Sequence, residues 1–141
     1  MARIDYTTQT TVQQEYFSDF LSTFDQSPIS RDLAIIRNEN AVKQSVRNLI
    51  LTDLGERLFQ PNIGGGINHR LFEPFNGFTA DDIKKDILNT LKQNEPRIST
   101  SNLTVNVIPN EDQNQFTVNV FFYIINNTNQ ISLSLVLQRV R

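Results

Sequence analysis

The last third of this 141-residue chain changes its hydrophobic period, and that change restricts the fold more than any other feature. Leu103, Val105 and Val107, then Phe116, Val118, Val120, Phe122 and Ile124, then Ile131, Leu133, Leu135 and Leu137 each alternate with mainly polar neighbours. A period of two places every second side chain on one face of a strand. The turn-rich segments PNEDQN and NNTN separate the three runs, so the pattern predicts a three-stranded antiparallel meander. One of its faces is apolar and has to be covered.

Two upstream segments can cover it. Val42, Val46, Leu49 and Ile50 recur at helical spacing, and Asn38 and Glu39 suit a helix start, which predicts a helix over Glu39 to Leu51. Lys43 and Arg47 lie one turn apart on its polar side and present a basic stripe outward. Ile83, Ile87, Leu88 and Leu91 predict a second helix from Ala80 to about Asn94. Thr79 and Asp82 open it as a weak capping box, and Pro96 stops it. The expected class is α+β, two amphipathic helices packed on a three-stranded antiparallel C-terminal sheet, in a chain long enough for one core.

Residues 1–30 read as an N-terminal arm and 31–141 as the domain. The arm is rich in Thr, Gln and Ser and carries Tyr6, with Tyr16, Phe17, Phe20, Leu21 and Phe24 placed either along one side of a short helix or along an extended anchor. Leu33 to Ile36 suit a brief strand. Between the helices, Gly55, Pro61, Gly64 to Gly66, Pro74 and Gly77 predict a long structured loop, tacked to the core by Leu54, Leu58, Phe59, Ile63, Ile67, Leu71, Phe72, Phe75 and Phe78. Ile67 to Phe72 suits one or two helical turns.

Composition removes several chemistries. The formal charge is −2, a poor match to nucleic acid. There is no cysteine, hence no disulfide, thiolate metal site or cysteine nucleophile, and no metal or cofactor is expected. No apolar run is long enough for a membrane span and the first residues lack an apolar leader core, so a cytoplasm-like compartment is expected. The lone His69 has no partner at a recognisable spacing. Gly64 to Gly66 match no phosphate-binding pattern and suit close backbone packing or positive φ. Glu56, Glu73, Asp81, Asp82 and Glu95 are the carboxylates open to paired acid and base work, without a second signal in favour of any pair.

The last strand, ISLSLVLQRVR, is uncharged before Arg139, and a strand so placed in the sequence is suited to a sheet edge. Ser132, Ser134 and Val136 do little to blunt such an edge, so addition of a strand from another chain is a reasonable mode of binding. A central position, or cover by the arm, is the competing placement. The chain also holds 16 Asn and 11 Gln. Those in the meander keep strands soluble without the like charge that would repel a partner strand.

The stretch RDLAIIRNENAVKQSVRNLILTDLGERLFQPNIGGGINHRLFEPF, followed by a helix, NEPRI and an LTVNVIP strand, resembles the baseplate wedge proteins of contractile-tailed (T-even-type) phages. That family is shared with the GPW proteins and the TssE component of type VI secretion baseplates. The resemblance covers about Arg31 to Arg141. It implies a non-enzymatic structural subunit, one copy per wedge and six per baseplate, in a virion tail assembled in the host cytoplasm. It also implies partners among other wedge subunits and the tail sheath protein, for which the sheet resembles the sheath's own handshake domain and offers a first template. By the same resemblance Glu95, Pro96 and Arg97 carry the family's EPR motif, associated with docking to the wedge core. The edge offered to the sheath is Ile131, Ser132, Leu133, Ser134, Leu135, Val136 and Leu137. Some family members carry a lysozyme-like label, which makes a cell-wall muramidase using Glu73 with Asp81 or Asp82 the alternative.

Overall fold

A computed structural model describes residues 17–125 and 127–139. Tyr6 and Tyr16, named above, lie outside them, as does Asn126 of the NNTN segment. The elements run β1 (Ser18–Phe20), β2 (Ile35–Arg37), α1 (Glu39–Leu51), α2 (Ile67–Arg70), α3 (Gly77–Asn94), a single 3₁₀ turn (Thr100–Asn102), β3 (Thr104–Asn110), β4 (Gln115–Tyr123) and β5 (Gln130–Gln138).

The alternating segments form one antiparallel sheet in the order β3-β4-β5. Val118 stands opposite both Val107 and Leu135, and Asn119 opposite both Asn106 and Ser134. Rungs therefore alternate between apolar residues on the covered face and an uncharged, mixed set on the other, where Phe121, Ile108 and Val136 stand among Thr, Ser and Asn. Val105, Phe116, Val118, Val120 and Phe122 are fully buried, as are Val42 and Val46 of α1 and Ile83, Ile87 and Leu91 of α3. α3 packs against β3 and α1 against β5, with the two helices also touching each other. The expected two-layer α+β architecture is the observed one.

Helix starts depart from expectation in a physically simple way. α3 begins a turn early because Asn76, not Thr79, is its cap: the Asn76 side chain accepts from the Thr79 amide at 3.0 Å. Thr79 is itself buried in the first turn. α1 begins where expected, yet Asn38 caps by position and not by side chain. Its Oδ1 accepts instead from the Phe17 amide at 3.4 Å, and its own amide donates to the Phe17 carbonyl at 2.7 Å.

Those bonds belong to a hairpin. β1 pairs with β2, Ser18 opposite Arg37 and Phe20 opposite Ile35, so the described part of the first thirty residues takes the extended form and not the short helix. Gln44 of α1 holds the hairpin down, accepting from the Ser22 amide at 3.0 Å and donating to the Phe20 carbonyl at 2.7 Å.

The long loop is anchored at fewer points than its composition suggests. Ile67 and Leu71 are buried, Ile63 and Phe75 pack against the core, and Phe75 stacks on Phe116 with centroids 4.8 Å apart. Leu54, Leu58, Phe59, Phe72 and Phe78 stand mostly exposed, a correction to the expectation that all of them tack the loop down. Gly64 is the position where only glycine fits: at φ +147° its missing Cβ would lie 2.7 Å from backbone atoms of Thr52 and Asp53.

Candidate functional site

Pro96 disfavours helical geometry at the residue before it, and Glu95 leaves α3 at φ −122° and ψ 83°. The turn folds Arg97 back onto Glu95. Arg97 Nε donates to Oε1 at 2.6 Å and Nη2 to Oε2 at 2.8 Å, and Ser45 Oγ of α1 donates to Oε2 at 2.6 Å. Glu95 is 2% exposed, so this is a buried fork between two helices and not the surface ion pair that sequence alone allows. Burial pushes the Glu95 carboxyl up, but hydrogen bonds from Arg97 and Ser45 outweigh it and hold the carboxyl below its ordinary value. The hydrogen bond to Glu95 likewise raises the Arg97 guanidinium. Arg97 also lies 5.7 Å from the centroid of the Phe17 ring, which ties the hairpin to the same corner. Pro96 is exposed and Arg97 half-buried, and these two residues are what the corner offers outward.

β5 forms one edge of the sheet. Its pairing to β4 runs unbroken from Gln130 opposite Tyr123 to Gln138 opposite Gln115, without a bulge. Ile131, Leu135 and Leu137 are buried and Leu133 partly so, whereas Ser132, Ser134 and Val136 are exposed. The direction of the backbone groups follows from β4. Ser99 donates to the Tyr123 carbonyl on the β3 side, so odd-numbered β4 residues turn toward β3 and even-numbered ones toward β5. Leu133 and Leu135, opposite Val120 and Val118, therefore spend their N–H groups on β4. Ser132, Ser134 and Val136 aim theirs outward. The same parity puts the missing N–H of Pro109 on the outer side of β3, where proline costs that strand no ladder bond.

The carboxylates offered by the hydrolase alternative fall elsewhere. Arg70 Nη1 lies 3.0 Å from Glu73 Oε1 and 3.8 Å from Asp82 Oδ2, and its Nε lies 3.1 Å from Asp86 Oδ2. Glu73 and Asp82 thus share one guanidinium that joins α2 to α3. Glu73 and Asp86 together raise the Arg70 guanidinium. Asp81 faces away from that cluster, into a groove of about 500 Å³ with Phe78, Val107 and Pro109. A glycosidase acid needs a largely apolar site facing a second carboxylate across a cleft, and neither grouping has that form. The Glu56 side chain accepts from the Asp53 amide at 2.9 Å, and His69 is exposed. Among the described residues no three His, Asp or Glu side chains come together as a metal set. No described helix is long and apolar enough to cross a membrane.

Residues 37–129, spanning α1, α3 and most of the sheet, match the family described as baseplate wedge protein gp25. The chain belongs to that family. It is 34% identical over 103 residues to the baseplate wedge protein gp25 of Enterobacteria phage T4, covering 73% of this chain and 74% of the phage protein. Among solved structures it resembles a candidate tail lysozyme from Geobacter sulfurreducens, with a TM-score of 0.63 and 25% identity over 72% of this chain and 92% of that one. The fold also matches a chain of the anti-feeding prophage baseplate, at a TM-score of 0.60 and 21% identity, covering 88% of this chain and 87% of the other. The Arg97 corner falls inside the span that matches the wedge family, and β5, which starts at Gln130, follows directly after it.

The sequence did not single out Ser45, Phe17 or Asp86 as parts of these clusters. Asp86 had a signal, lying one turn beyond Asp82 on the same helix face. Ser45 and Phe17 had none, since both reach their partners through tertiary packing.

Proposed function

We propose that the chain is a structural subunit of a contractile-tail baseplate wedge, without catalytic activity, that docks to the wedge core and templates sheath polymerisation. Docking uses the corner of Glu95, Pro96 and Arg97, and templating uses strand addition along Ile131–Leu137. The partners are other wedge subunits and the tail sheath protein, with one copy of this chain in each of six wedges, in a virion tail assembled in the host cytoplasm. The observation that carries the reading is the β5 edge: uncharged, unbroken, and turning the N–H groups of Ser132, Ser134 and Val136 away from the sheet. Monomers normally blunt such an edge with lysine, proline or a bulge. Membership of the baseplate wedge family supports an assembly in which such an edge has a use.

Ser134→Pro tests the strand contact, because it deletes an outward N–H from an exposed side chain and spares the ladder to β4. Tails built with this variant are expected to contain baseplates without sheath, and full sheaths on them would overturn the reading. Docking is tested by Arg97→Lys, which keeps the charge and the fold but loses the fork; wedges isolated with it are expected to lack the protein. Because Glu95 is enclosed by its own chain, the surface tested there is that of Pro96 and Arg97.

A further inference from the structure

The open β5 edge is flanked by a charged stripe on α1 with one anion, Glu39, and two cations, Lys43 and Arg47. Asn127, in the turn entering β5, donates to Glu39 Oε1 at 3.1 Å, which places the Glu39 stripe of α1 beneath that edge of the sheet. Lys43 and Arg47 continue the stripe at successive turns. On the opposite flank of α1, Ser45 reaches Glu95 at the end of α3, so the stripe lies on the side of α1 away from α3. Lys43 is half-buried and Arg47 exposed, and among the described residues neither makes an ion pair. Beyond the far end of the strand, Arg139 sits over the Phe72 ring at 4.8 Å. From Gln130 to Gln138 the strand itself contributes no charge. The stripe thus carries a net charge of +1, with both cations outside any ion pair among the described residues, although the chain as a whole carries −2.

We propose that the strand accepted by β5 carries acidic side chains at alternate positions, on the side that faces α1. This rests on the strand-addition reading above and specifies the chemistry of the partner. The spacing supports it. Lys43 and Arg47 are four residues apart, about 6 Å along a helix axis. Side chains two apart on one face of a strand are separated by about 6.6 Å. The spacing of two carboxylates at i and i+2 thus matches that of two cations one helical turn apart. An aliphatic or amide strand satisfies the backbone equally well but leaves those cations unpaired, and a basic strand meets like charge.

Binding of three synthetic nine-residue strand peptides to the full chain, followed by fluorescence anisotropy, tests this directly. All three alternate valine with a variable residue, which is glutamate, glutamine or lysine. The expected order is glutamate, glutamine, lysine, with glutamate about three- to tenfold tighter than glutamine at low salt for two cross-element pairs. Salt should shrink the difference, and the double variant Lys43→Glu, Arg47→Glu should invert it. Equal binding of the three peptides, or an order unchanged by the double variant, overturns the charge rule and leaves strand addition standing. A fourth peptide, the glutamate sequence N-methylated at alternate residues, separates the two ideas. If it binds as well as its parent, or if none of the peptides binds, the strand-addition reading falls and the charge rule with it.

Discussion

Glu95 and Arg97, with one proline between them, close two hydrogen bonds of 2.6 and 2.8 Å on each other inside the chain. Residues two apart do not face one another on a helix or bond across a strand, so the fork exists because Pro96 ends α3 at that point. Ser45 and the Phe17 ring then fix it in place.

Removing the cation leaves a carboxylate in a nearly closed site. Arg97→Ala is expected to lower stability by about 3–5 kcal/mol, the usual cost of breaking one side of a buried pair. Urea denaturation followed by circular dichroism measures it. A loss below about 1 kcal/mol would mean that the fork behaves as a surface pair.

The same pair predicts a pH dependence of definite sign. The folded Glu95 carboxyl is held below its ordinary value of 4.5, so its contribution is fully present above that pH and is lost as pH falls through the depressed folded value. The urea midpoint of the wild type should therefore drop in that acid range. In Glu95→Gln this part of the slope disappears, and an identical acid profile in the two proteins would contradict the assignment.

Two glycines in neighbouring segments should respond in opposite directions. Gly64→Ala sets a Cβ 2.7 Å from the Thr52 and Asp53 backbone at positive φ, with an expected cost of roughly 3 kcal/mol. Gly77→Ala meets nothing within 4 Å in the first turn of α3, and should stabilise by up to about 0.5 kcal/mol. Thermal unfolding of the two variants side by side gives both signs.

The cap of α3 is tested by Asn76→Ala, which removes the acceptor for the Thr79 amide and should cost about 1 kcal/mol. Thr79→Val removes the hydroxyl but keeps the shape and that amide, so its effect should be smaller. An equal or larger loss would place the helix start at Thr79 after all.

The sheet was legible because alternation ran through three segments and marked the covered face, and the middles of α1 and α3 were legible from apolar spacing. What escaped depended on contacts between distant parts of the chain. β1 and β2 are three residues each, too short to show a period, and they persist because Gln44 and Asn38 bond their backbone. The start of α3 was masked by Gly77, a residue that reads as a turn. Phe59 and Leu58 look like core residues by type, yet the loop that carries them turns outward. The site was half legible: spacing showed that β5 was uncharged, but its place at the edge came from the order of strands, and the enclosure of Glu95 came from Ser45, fifty positions away in sequence.

α1 bears on both proposed surfaces, touching Asn127 at its first residue and Glu95 at Ser45. Six residues of helix separate the two contacts, about 9 Å along its axis. A chain seated through its Arg97 corner therefore presents its strand edge at one angle and one height, with no hinge between the two. Under the proposed function, the wedge would need no further part to aim the first sheath ring, since a helix of the chain would serve as the jig.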